Sequence, residues 1–218
     1  MDNLLHKLAS EIRGTLDWLR GNGFTDVENN HRSIDGCCIY VTDAKICFFM
    51  KKGLSYADAY KESLKTRAYS FKLLDGAICQ MSYAVFKNAL TKHRLGFFPS
   101  PEQPAYQDDP DLYDAEQDYW DATGPSALVT PVRFDFDDTV TEDDIHPKSH
   151  LTLGQYKGCR IPVSAPLSPL SFVRFILSNF YASKWVQHRE TYPAKKLSFD
   201  NTISEDEMKN AYLEVGKD

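Results

Sequence analysis

With 218 residues, 42% of them hydrophobic and 26% charged, the chain has a globular composition, which excludes a largely disordered protein. No apolar run approaches the roughly 18 residues of a bilayer span, and MDNLLHKLASEIRG lacks the basic start and long apolar stretch of a signal peptide, so a cytoplasmic protein without a membrane partner is expected. The net charge of −6 is uneven: residues 101 to 129 hold eight acids (Glu102, Asp108, Asp109, Asp111, Asp114, Glu116, Asp118, Asp121) and no Lys or Arg, leaving 25 bases against 23 acids elsewhere and room for a basic face.

In chain order, Leu4, Leu5, Leu8, Ile12, Leu16 and Leu19 recur at helical spacing, and Gly21 and Gly23 stop the helix. CCIYV (37–41) and KICFFM (45–50) flank a polar turn and predict a β-hairpin. Ser55 caps a helix to about Arg67, with Asp58 as its acidic partner. YSFKLL and AICQMSYAVF, parted by Asp75-Gly76, predict a second hairpin. Residues 87 to 94 are expected to form a helical turn before the Pro99 to Pro104 break, and the acidic stretch at about 101–127 to be an exposed insertion.

Beyond it Val132, Phe134 and Phe136 alternate with Arg133, Asp135 and Asp137, the pattern of a half-buried strand. HLTLG (150–154) and CRIPV (159–163) predict a third hairpin around Gln155 to Gly158. Ser168-Pro169 opens a helix with Phe172, Phe175, Ile176 and Phe180 facing the core, and SEDE (204–207) is a capping box for a last short helix. The expected fold is α+β: a mainly antiparallel sheet of about seven strands built from hairpins, helices on one face, and N- and C-terminal helices, in a single domain over 1–218.

Five cysteines (Cys37, Cys38, Cys47, Cys79, Cys159) form no CxxC pair and an odd set, so they are expected to fill the core as small apolar groups. No Gly-rich phosphate loop or nucleophile elbow is present, and no cofactor is expected.

The chemistry concentrates between Arg133 and Pro162. If the late strands are neighbours, Arg133, Asp135, His150 and Arg160 share one polar face, with His146 in the loop beside them. Imidazole moves protons near neutral pH and guanidinium matches phosphate, so the set suits handling of a phosphate ester. Other readings remain: cross-strand ion pairs that simply close a polar face; a metal held by His146 and His150 with Asp137, Asp138, Asp143 or Asp144; or paired His-x-Thr/Ser motifs at His150 and His31. His93-Arg94-Leu95 before GFFP offers another basic, aromatic patch.

LLDGAICQMSY (73–83), HRLGFFPSP (93–101), and RFDFD with HPKSHLTLGQYKGCRIPVSAPLSPLSFVRFILSNFY (within 133–181) resemble an uncharacterised bacterial family of unknown function. Its marks are an Asp-Gly hairpin, an Arg-Leu-x-x-x-Pro segment and a His-Pro-x-x-His-Leu to Arg-Ile-Pro core, covering about residues 30 to 185. The resemblance implies a polar core of Arg133, Asp135, His146, His150, Arg160 and Pro162, and a place in a defence or toxin system. Two functions are carried forward: an enzyme or effector acting on RNA or a nucleotide through that patch, and a non-catalytic subunit docking a protein partner through acidic residues 102–121. Oligomeric state is left open.

Overall fold

The computed structural model describes residues 3–28, 32–34, 37–39, 54–101, 130–140, 146–154, 158–194 and 197–216. The expected strand at 45–50 and the acidic stretch 102–129 lie outside the described residues.

Helix α1 (Leu4–Gly21) begins where the Asn3 side chain accepts the Leu5 N–H, and it buries the predicted stripe of Leu8, Ile12, Leu16 and Leu19. Strands β1 (Thr25–Glu28), β2 (Arg32–Ile34) and β3 (Cys37–Ile39) follow, then α2 (Tyr56–Thr66), capped by Ser55 as expected. Next come β4 (Phe71–Leu73), β5 (Ile78–Phe86), β6 (Ala89–Phe98), β7 (Val132–Asp137), β8 (Ser149–Leu153) and β9 (Ile161–Pro162). Helices α3 (Pro169–Phe180) and α4 (Ala182–His188) and two 3₁₀ turns complete the described chain. The second turn, Glu207–Lys209, carries the predicted capping box, with Ser204 N–H donating to Glu207 and Glu207 N–H to the Ser204 hydroxyl.

The fold is α+β. Its antiparallel sheet runs β1-β4-β5-β6-β7-β8-β9, seven strands on the main path, with β3 beside the far half of β5 and β2 beside β3. At the Asp75-Gly76 hairpin the loop is Leu74–Gly76, closed by Leu73 N–H to Ala77 O, with Gly76 at φ 91°.

The helical turn expected at 87–94 is not formed: residues 89–98 are β6, paired with β5 from Phe86↔Ala89 to Ile78↔Phe98. Lys87 and Asn88 make a two-residue turn with φ of 49° and 67°, a conformation that Asn tolerates better than most residues. Asn88 Oδ1 also accepts the Leu4 N–H at 2.7 Å, tying the hairpin tip to the start of α1.

On one face of the sheet, Cys79, Met81, Tyr83, Leu95, Phe97, Val132, Phe134 and Leu151 pack against α1 and against Phe172, Val173, Ile176 and Leu177 of α3. Ile78 and Phe98, of opposite parity, pack with Tyr60 and Tyr69, so α2 covers one corner of the other face. Among the described residues, no helix is long and apolar enough to cross a membrane.

Candidate functional site

Antiparallel register fixes which side chains meet. Arg94 of β6 lies opposite Asp135 of β7, Asp135 opposite His150 of β8, and His150 opposite Pro162 of β9, one cross-strand row on the face away from α1 and α3. The row beside it runs Gly96, Arg133, Thr152. The predicted alternation of β7 holds, with Val132, Phe134 and Phe136 buried and Arg133, Asp135 and Asp137 half-buried on the opposite side.

Asp135 is the hub. Arg94 Nε donates to one carboxylate oxygen at 2.9 Å and Arg133 Nε to the other at 2.5 Å, while His150 Nε2 stands 3.9 Å from the second. Burial would raise the Asp135 pKa, but the Arg133 and Arg94 guanidinium groups outweigh it and hold the carboxylate below its usual range. Asp135 therefore stays ionised. Each guanidinium meets it through Nε. Along the same face Lys92 pairs with Asp137 at 2.8 Å, and Lys148 reaches Asp138 at 3.5 Å.

The His150 side chain is 7% exposed. Its Nδ1 lies 3.0 Å from the Pro147 carbonyl oxygen, which can only accept, so Nδ1 carries the proton and Nε2 keeps a lone pair. Burial lowers the His150 pKa, opposed by Asp135 and the Pro147 carbonyl and assisted by His146 and Arg160. The His146 ring, half-buried, tilts at 57° to that of His150 with centroids 5.1 Å apart. Arg160, also half-buried, is close enough for its charge to act on His150.

All five expected residues, Arg133, Asp135, His146, His150 and Arg160, thus gather about one patch, with Pro162 beside His150. The sequence puts Arg94 in a separate patch with His93, on a segment expected to form a helical turn; as part of β6 it shares the face of Asp135 and joins this patch. The patch expected at His93-Arg94 is split, because alternation sends His93 to the opposite face. There it is 3% exposed, packed against Tyr83 and Phe136, and Nε2 accepts the Leu167 N–H. Among the described residues no group of three or more His, Cys, Asp or Glu is gathered as metal ligands would be; Asp143, Asp144 and His31 lie outside them. Cys79 and Cys159 are free thiols.

A cavity of about 300 Å³ lies elsewhere, between α3 and residues 213–216, lined by Ser171, Arg174, Phe175 and Tyr192 among others. None of the patch residues borders it.

No curated protein and no solved structure matches this chain. A family model described as an uncharacterized conserved protein matches residues 25–215, a wider span than the motifs alone suggested. The chain belongs to that family, DUF2290.

Proposed function

We propose that the polar face of β6 to β9 handles a phosphate-bearing substrate, RNA or a nucleotide, with His150 as general base or acid. His146 is its partner, Arg133 and Arg160 bind phosphate, and Asp135 orients Arg133. The observation that carries this reading is the convergence on Asp135 of two guanidinium groups and one imidazole from three adjacent strands.

The chemistry follows from the protonation states. With Nδ1 turned to the Pro147 carbonyl, the basic nitrogen of His150 is Nε2, and burial favours the neutral ring that a base requires. On RNA, Nε2 takes the 2′-hydroxyl proton, the 2′-oxygen bonds to phosphorus, and the 5′-oxygen leaves with a proton donated by His146. The guanidinium groups oppose the negative charge that grows on the phosphoryl oxygens.

Replacing His150 with Ala should lower phosphate-ester or RNA cleavage about 100-fold or more in a variant with native circular dichroism. An unchanged rate in that folded variant removes His150 from the mechanism.

A second reading rests on composition. Eight acids without a counter-charge, in an insertion at 101–127 of a single domain, would dock a basic protein partner. Such a complex should weaken steeply above physiological salt and vanish when 102–121 is deleted; survival of binding after the deletion rules it out.

A further inference from the structure

Resting on the phosphate-handling reading, the geometry points to a polymer as its substrate: we infer that a single-stranded polynucleotide lies across β6, β7, β8 and β9, its backbone phosphates following the cationic side chains of the polar face.

The cations are spread along a path. Lys92 and Arg94 stand on β6, Arg133 on β7, Lys148 just ahead of β8, and Arg160 just ahead of β9. Crossing from β6 to β9 covers three strand spacings, about 14 Å, long enough for a few successive phosphates. Among the described residues, three carboxylates, Asp135, Asp137 and Asp138, pair with four of these cations. Among the described residues, these five positive groups stand against those three carboxylates, before either histidine takes a proton.

A mononucleotide site is ordinarily concave, with polar groups converging from several walls. Here the positive groups come from successive strands of one sheet face. Charged groups in a line recognise a repeating backbone and tolerate any base. The path also places His150 between Arg133 and Arg160, so a strand that follows the cations passes the imidazole. Arg94 is then a binding residue of the same site, held with Arg133 by the two oxygens of Asp135.

The test is fluorescence anisotropy of the full chain with labelled 2′-O-methyl RNA, which cannot undergo transfer at the 2′-oxygen, in lengths of one, two, five and ten nucleotides, and with DNA of equal length. Affinity should rise at least tenfold from one nucleotide to five and fall with added salt. Arg94→Gln and Lys92→Gln should each weaken binding of the ten-nucleotide strand several-fold, and Asp137→Asn should tighten it. Lys92 is exposed and its partner Asp137 half-buried at the edge of the patch, so those two variants stay informative should Arg94→Gln fold poorly. Equal binding of RNA and DNA supports a backbone reading, and so does a preference for RNA, which adds contact with the sugar.

If one nucleotide binds as tightly as ten, the polymer inference is overturned while the phosphate-handling reading stands. If the strands bind but the Lys92 and Asp137 variants match the parent, the proposed path is wrong. If no length binds and His150→Ala leaves every phosphate-ester assay unchanged, both fall together.

Discussion

Strands β6, β7 and β8 present two faces that share a backbone and divide its work. On one, Leu95, Phe97, Phe134 and Leu151 are buried against α1 and α3; on the other, Arg94, Arg133, Asp135 and His150 meet one another in the same register. Because burial of the first face fixes the strand pairing, the charges of the second are brought together by packing in which they take no part. Stability and chemistry should therefore separate by face, and substitutions can test that separation.

The largest effect belongs to the apolar side. Phe134 is fully buried against Phe172 and Phe175, so Phe134→Ala should cost about 4 kcal/mol in urea unfolding. A loss below about 1 kcal/mol would mean that the core does not hold the strands in place.

His93, on that same side, links the comparison to pH. Burial lowers its pKa to about 4, with Asp135 and backbone carbonyls opposing and His150 assisting. The unfolded ring takes a proton near pH 6.5, whereas the folded ring resists until about 4. Stability is therefore complete above pH 6.5 and falls on acidification toward pH 4, by on the order of 3 kcal/mol from His93 alone. His150, lowered in the same direction, adds to the slope. In His93→Gln the fall should flatten without vanishing, and a parent stability unchanged over this range would contradict the assignment.

On the polar side, Asp135→Asn leaves two guanidinium groups facing each other without their anion. The loss should be about 2 kcal/mol, less than for a fully buried pair because the arginines are 30% and 37% exposed. Since the folded carboxyl has a lowered pKa, its contribution is present above pH 4 or so and disappears as pH falls through the folded value. Acid titration of the variant should lack that component.

The smallest stability effect sharpens the comparison most. Arg133→Gln should change stability by less than about 1 kcal/mol yet weaken binding of a ten-nucleotide strand at least tenfold. A variant that loses stability and keeps binding would turn the patch into an ion-pair closure of the sheet.

Much of this division was legible in the sequence. The alternation at 132–137 assigned each residue to a face, Ser168-Pro169 and the capping box at 204–207 marked helix starts, and the Asp-Gly loop marked a hairpin. Lys87-Asn88 was not legible as a turn, because neither residue is glycine and the contact that favours it comes from Leu4, 84 residues earlier. That single misassignment kept Arg94 apart from the Asp135 patch. Parity along one strand also cannot say which strand lies beside it; the row Arg94, Asp135, His150 exists only through pairing of segments far apart in the chain.

The central claim is that His150 is a neutral imidazole with a basic Nε2 and not the cationic half of an ion pair with Asp135. Nitrogen-15 NMR of the ring in the folded protein measures this directly. The account predicts a proton on Nδ1, none on Nε2 at pH 7, and a midpoint below 6.5. A ring protonated on both nitrogens at pH 7 would contradict it.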